Sequence, residues 1–317
     1  HFPKNPIKYS QFGLKALWSA SLLSKRFDTN EAKALWAGMA AHAIQPLENL
    51  TTSAIGLVLL AAAHKVNWAI PQGGSQAIAN ALASCFLSNG GIVQTDFHVK
   101  SLAQLPSAKA IIFDVTPRQL LQIAGHTFSN IYKWQLEKYR YGMGVFKVDW
   151  AIDGQVPFTD EKTRQAGTVH IGNTFAEIAR SEARTARGEH QEKPFVLLAQ
   201  QGVYDTSRAP EGKQALWGYC HVPNGSKQDM TEAIKKQIER FAPGFRERIL
   251  ARHTFNTEQL ESYNPNYIGG DINGGIIDWR QLFTRPALKS SPYRTSTKGL
   301  YICSSSTPPG GGVHGMC

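Results

Sequence analysis

The sequence predicts a mixed α/β (α+β) protein, one α+β unit set between two pieces of another. Three observations carry that expectation. The first 68 residues show helical periodicity and no strand pattern. A nearly continuous apolar run, Ala110-Ile111-Ile112-Phe113, reads as a buried strand, and a second apolar run, Leu300-Tyr301-Ile302-Cys303, returns at the far end. Between about residues 126 and 300 the pattern changes to strands with long connections.

Taken in order, Leu14, Leu17, Trp18 and Leu22 fall on one face of an amphipathic helix, and residues 31–43 form a second, stopped at Pro46. Thr51 or Ser53 is the expected cap of a third, the apolar one over 54–63. Trp36 and Met39 are expected in the core. Ser75 is the expected N-cap of a helix with the apolar face Ile78, Leu82 and Phe86, ended by Gly90-Gly91. Ile92-Val93 and residues 99–102 read as short strands before the buried strand at 110–115. Thr116-Pro117 opens a short helix through Leu120-Leu121 that closes near Gly125. Residues 145–152, 195–200 and 215–222 read as strands, with another at 249–254. Asp229 with Glu232 resembles a capping box for a helix bearing Ile234, Ile238 and Phe241, stopped by Pro243-Gly244. Residues 264–275, rich in Asn and Gly, are loop.

Composition excludes several classes. A 42% hydrophobic content with 18% charged residues leaves ample apolar material for a core. A net charge of +10 would suit an anionic partner. The basic residues are scattered, however, and no nucleic-acid module is present, so nucleic-acid binding is not expected. Cys85, Cys220, Cys303 and Cys317 lie far apart without a CxxC pair, which argues against a disulfide scaffold or a zinc site and fits a reducing cytoplasm. The longest apolar run, 54–63, is about half of the ~20 residues a spanning helix needs. No transmembrane span is expected, and peripheral contact with one membrane face is left open.

No GxSxG, HExxH or P-loop occurs, and no two histidines sit at ligand spacing, so hydrolase and metal readings drop out and no general base is assigned. Gly142-Met143-Gly144 is only GxG and leads into a strand, as a turn would. Pro71-Gln72-Gly73-Gly74 reads as a loop entering a helix. The segment from Ser305 through Pro308-Pro309-Gly310-Gly311-Gly312-Val313-His314-Gly315 follows a buried strand. Its glycines remove Cβ atoms and expose amide N–H groups, which attract an anion or a carbonyl oxygen. A cofactor loop is favoured over a loose tail, because a tail seldom follows a buried strand.

Three stretches, PQGGSQAIANALASCFLSNGG with HVKSL, YDTSRAPEGKQALWGYCHVP, and GLYICSSSTPPGGGVHGM, resemble in order and spacing segments of the phytoene desaturase-like (carotenoid dehydrogenase-like) FAD oxidoreductases. The likeness covers nearly the whole chain and is closer to the uncharacterised bacterial branch than to the enzymes acting on phytoene. It implies a glutathione-reductase-like FAD-binding fold assembled from discontinuous segments. Residues 69–125 and 297–317 would belong to the flavin domain, and residues 1–68 and 126–296, the latter with an antiparallel sheet, to the substrate domain. That family opens with a GxGxxG βαβ unit and continues past the closing loop into a helix. Neither occurs here. The chain is therefore expected to be an N- and C-terminally truncated fragment that alone binds FAD poorly and is inactive.

By the same resemblance, Val99 matches the strand position that pairs with the adenine edge. Thr307 and Pro308 sit just before the flavin ring, and Gly310, Gly311, Gly312, Val313, His314, Gly315 and Met316 match the loop near the ribityl chain and pyrimidine. Asp271, Asn273 and Gln281 in GGDINGGIIDWRQ are candidate substrate contacts, with Asp271 equally readable as a turn residue. The implied reaction is flavin-dependent removal of hydrogen from, or addition to, a C–C bond of a hydrophobic, isoprenoid- or carotenoid-like substrate. Apolar helices over 14–63 would serve as a lid. An amine oxidase or protoporphyrinogen oxidase-like flavoenzyme is the second reading, and a binding protein that has lost its flavin the third.

Overall fold

Strand alternation is clearest where one sheet face is buried. Phe146, Val148, Trp150 and Ile152 point into the main core, while Lys147, Asp149 and Ala151 between them stay half-buried or exposed. They lie in a computed structural model that describes residues 4–312. In chain order, helices α1 (Pro6–Ala16), α2 (Ala20–Ser24), α3 (Asn30–Ala40), α4 (Thr52–Val66) and α5 (Gln76–Ser88) precede strand β1 (Ile111–Phe113) and helices α6 (Pro117–Ala124) and α7 (Asn130–Glu137). Then come β2 (Gly144–Asp153), the single turn α8 (Glu161–Arg164), β3 (Thr168–Ile171), α9 (Phe175–Thr185), β4 (Val196–Ala199) and β5 (Lys213–Val222). Helix α10 (Thr231–Glu239), β6 (Ile249–Phe255), α11 (Thr257–Tyr263) and β7 (Leu300–Ile302) complete the order.

Two sheets result. The larger is antiparallel, in the order β3-β4-β5-β2-β6. Its inner face packs Val196, Leu198, Leu216 and the β2 residues against Ile234 and Ile238 of α10. The smaller pairs β1 with β7 in parallel, Ile111 opposite Leu300 and Phe113 opposite Ile302. A parallel pair needs a long crossover. Here the crossover holds the whole antiparallel sheet, so residues near 111 and near 301 meet across it. Beneath that pair, Leu120, Ile123, Phe128 and Leu136 of the α6–α7 region form a separate core.

The helical start has its own core. Trp36 is buried as expected, and its indole nitrogen donates to the Ala20 carbonyl at 2.9 Å. Helix α4 crosses it so closely that a Cβ on Gly56 would stand 2.8 Å from the Trp36 ring. This layer shares an apolar core with Ile178 and Ala179 of α9 and with Phe195, and two polar side chains also tie it to the rest of the fold. Gln45, buried, donates to the Ile277 carbonyl at 3.0 Å, and the His42 and His170 Nε2 atoms lie 2.8 Å apart.

Burial pushes the His170 pKa down to about 4 from its ordinary 6.5. The unfolded chain therefore binds that proton more readily. The stability contributed by the neutral ring is whole above pH 6.5 and is lost as pH falls toward 4. His170→Phe is expected to flatten this part of the pH dependence in urea unfolding across that window. Equal slopes for both proteins would contradict the assignment.

Several sequence expectations give way. The first amphipathic helix is two, because Ser19 turns the chain and caps α2 by accepting the Leu22 amide at 3.1 Å. Residues 92–93 and 99–102 are not strands, since no strand among the described residues lies beside them. Instead Gln104 accepts the Ser101 amide at 3.0 Å and closes a 3-10 turn, Leu102–Gln104. Strand β3 carries no sequence signal beyond four residues. The Asp229 capping box does not form; Asp229 accepts from the Thr231 amide, while Glu232 pairs with Lys235 and Arg246. Neither Ser75 nor Thr51 caps its helix with a side-chain bond. The stripe Ile78, Leu82, Phe86 buries no residue of α5, and Leu82 and Phe86 are exposed.

Among the described residues, no helix is long and apolar enough to cross a membrane.

Candidate functional site

The site begins where the small sheet lets the chain go. The Cys303 amide donates to the Phe113 carbonyl at 2.9 Å, the last bond of the β1–β7 ladder. The next four residues bond to themselves. The Ser304 amide donates to Thr307 Oγ1 at 3.2 Å, and Thr307 Oγ1 donates to the Ser304 carbonyl at 2.7 Å. A serine- and threonine-rich stretch favours such side-chain-closed turns. Ser306 Oγ then donates across to the Gly274 carbonyl at 2.6 Å, docking this turn on a second loop.

That second loop, 268–281, is organised by Asp271. Its buried carboxylate accepts the amides of Gly142 and Asn273, each at 2.7 Å, and of Gly275 at 3.0 Å. Burial pushes the Asp271 pKa up, and the three amides with the Arg285 charge pull part of it back. Tyr139 donates its hydroxyl to the Gly274 carbonyl at 2.8 Å; burial raises its pKa to about 12, so it stays a donor. A Cβ on Gly275, at φ 129°, would stand 2.1 Å from that hydroxyl. Gln281 bonds to the backbone at both ends of its amide. Its Oε1 accepts the Arg140 amide at 3.0 Å, and its Nε2 donates to the carbonyls of Arg140 and Ile276, each at 2.9 Å.

Arg285 links the two loops, and nothing in its sequence context singles it out. It is 1% exposed. Its Nη2 donates to the Ser305 carbonyl at 2.6 Å and its Nε to the Ser306 carbonyl at 3.3 Å. Its Nη1 is buried with no hydrogen-bond partner among the described residues. A Cβ placed on Gly310 would lie 3.9 Å from that Nη1. A buried guanidinium donor therefore stands bare beside a glycine whose φ is 123°, in a turn that few L side chains adopt. Such a cradle suits an acceptor oxygen or a delocalised negative charge.

The sequence candidates are placed as follows. Thr307, Pro308, Gly310 and Gly311 run through the cradle; a Cβ on Gly311 would touch the Asn273 carbonyl at 3.4 Å. Gly312 is exposed at its edge. Val313, His314, Gly315 and Met316 lie outside the described residues. Asp271 and Gln281 turn inward to backbone partners, while Asn273 is half-buried beside Gly311. Val99 packs on the core beneath β1 and β7 rather than in the loops. The two other quoted stretches also meet. The Gly73 amide donates to Asp205 at 2.7 Å, and the Arg208 guanidinium lies over Gly74. No group of three metal-ligating side chains occurs among the described residues.

A mixed helix–sheet fold of this kind is shared with oxidoreductases of known structure, amine oxidases among them. An oxidoreductase from Methanosarcina mazei superposes with a TM-score of 0.61 at 13% identity, over 96% of this chain and 68% of its own. Wild-type putrescine oxidase with putrescine bound superposes with a TM-score of 0.54 at 11% identity, over 92% and 63%. These likenesses show the fold alone. No family model matches the chain. In sequence the chain is similar to the pyridine nucleotide-disulfide oxidoreductase domain-containing protein 2 of Mus musculus, 25% identical over 93% of this chain and 58% of that protein. It is also 25% identical to the neurosporene-forming phytoene desaturase of Rhodobacter capsulatus, over 78% of this chain and 51% of that enzyme. The chain thus spans about half the length of the curated relatives it matches.

Proposed function

We propose that this chain is the substrate-binding and flavin-closing part of an FAD-dependent oxidoreductase acting on C–C bonds of a hydrophobic, isoprenoid-like substrate. The observation that carries the reading is the bare Arg285 Nη1 beside Gly310, at the loop that leaves a parallel strand. The donor set fits a flavin: a guanidinium and glycine amides suit the electron-rich pyrimidine edge, where negative charge gathers on reduction. Thr307 and Pro308 lead into that loop, and Gly310, Gly311 and Gly312 would lie near the ribityl chain and the pyrimidine. The flavin, when bound, supplies the two-electron redox step.

The chain's own residues do the holding. Arg285 fixes the 305–306 carbonyls and keeps one donor for the cofactor. Asp271 and Gln281 fix the 140–142 and 273–276 backbone that walls the cradle. Asn273, whose backbone lies beside Gly311, would be the residue of that wall to meet substrate.

In the intact protein, Gly310→Val is expected to remove the bound flavin and its visible absorption band, because a β-branched residue is strained at φ 123°. Intact, folded wild-type protein that stays colourless when incubated with FAD would overturn the reading.

A further inference from the structure

We propose that the pocket under the 201–212 loop, at the end of β2 and β5 remote from the cradle, is a second ligand site. It takes a small, planar, uncharged molecule that presents an amide edge, an N–H beside a C=O, to Gln214. The proposal goes beyond the flavin reading and does not rest on it.

Two stretches that play no part in the cradle build this place. The Gly73 amide, ahead of α5, donates to Asp205 at 2.7 Å. Ser207 donates to the same carboxylate, from its hydroxyl at 2.6 Å and from its amide at 3.2 Å. Asp205 thereby pins one end of the loop, and the Lys213 amide, donating to the Pro210 carbonyl at 3.0 Å, turns the other end into β5. Between this loop and the end of β2 lies a pocket of about 480 Å³, walled by Gly154, Gly202, Asp205, Thr206, Pro210 and Gln214 among others. That volume is of the size that small-molecule sites use. The ten residues of β2, at about 3.3 Å each, set it about 30 Å from the strand's other end, where Asp271 holds Gly142.

Gln214 names the ligand. It opens the core-facing row of β5, ahead of Leu216 and Cys220, and is 7% exposed. Its Oε1 is buried with no hydrogen-bond partner among the described residues, an unfavourable state for a carbonyl oxygen. A Cβ on Gly202 would stand 3.5 Å from Gln214 Cγ, so the loop backbone lies directly against this side chain. Charge does the rest of the selection. An anion would meet Asp205 and the exposed Glu211. A cation would meet Lys213, already paired with Asp153 at 2.6 Å, and the Arg248 guanidinium that lies over Gly154. The unpaired group in the wall is therefore a carboxamide, and its complement is another amide: an N–H for Oε1 and a C=O for the Nε2 donors. Ala209 and Pro210 add apolar surface for a flat ring.

2-Pyridone carries such an edge, and 1-methyl-2-pyridone keeps its shape but lacks the N–H. Both are titrated against the intact protein by ligand-observed NMR. 2-Pyridone is expected to bind with a Kd on the order of 1 mM, about tenfold tighter than its methylated analogue. Gln214→Met, similar in length but without the amide, is expected to erase that preference. Thr206→Trp is expected to block both probes by filling the pocket; Thr206 is exposed, so this variant tests the site even where Gln214→Met fails to fold. Wild-type protein that binds neither probe would overturn the proposal. So would a tenfold preference that survives in Gln214→Met, or 2-pyridone affinity unaltered in Thr206→Trp.

Discussion

Replacing Arg285 with methionine is expected to cost about 3 kcal/mol of stability and, on the proposed flavin reading, the bound flavin as well. The guanidinium makes two hydrogen bonds to the Ser305 and Ser306 carbonyls, and hydrogen bonds to a charged group contribute about 1.5–3 kcal/mol each. Methionine restores volume but no donor, so both carbonyls lose a partner and the 304–307 turn loses its anchor to the 285 segment. The loss also reaches Asp271. Burial already raises the pKa of that carboxylate, and the Arg285 charge offsets part of the effect. Without Arg285 the carboxylate is less compensated, so Arg285→Met combined with Asp271→Asn is expected to cost less than the two single changes summed, by about 1 kcal/mol. Thermal unfolding with the flavin-to-protein absorbance ratio measures both quantities. Wild-type flavin content in Arg285→Met would refute the role of the bare Nη1.

Arg285 also shows where the sequence stops speaking. Glycine runs and Ser-Thr turns advertise a loop, because few other residues serve those conformations. An arginine before a proline advertises nothing; only its burial between two loops gives it meaning. Gln45 and Tyr139 are similar, ordinary residues in sequence that hold the cradle through bonds to residues more than a hundred positions away. Strands β2 and β5 were legible because one face alternates against a core, and β1 and β7 because both read as apolar runs. Strand β3 was not, since four residues hold too little pattern. The 92–93 and 99–102 segments misled for the converse reason: β propensity needs a neighbour to become a strand. The stripe on α5 correctly announced a helix but not a partner, and among the described residues it has no core to face.

The buried pair Glu182–His221 carries the second large effect. Glu182 of α9 and His221 of β5 meet at 2.7 Å, with side chains 0% and 1% exposed. Glu182 Oε1 and His221 Nε2 have no hydrogen-bond partner among the described residues, so each leans on the other alone. Glu182→Ala leaves a buried imidazole unmatched and opens a cavity, for an expected loss of about 3–5 kcal/mol in urea unfolding. Glu182→Gln keeps shape and an acceptor for Nδ1 and is expected to lose much less. The double change Glu182→Leu with His221→Phe is expected to recover most of the loss, because apolar replacement of both partners removes the desolvation cost together with the bond. Cys220, adjacent to His221 in β5 but facing the main core, reports whether the loss is local. Burial raises its thiol pKa, with the Glu182 charge adding to the rise, so it should resist alkylation in the wild type. Because Cys220 lies on the face covered by α10, its alkylation in Glu182→Ala only at the unfolding midpoint would show a loss of global stability, while earlier alkylation would show that the main core of the sheet opens when the pair is broken.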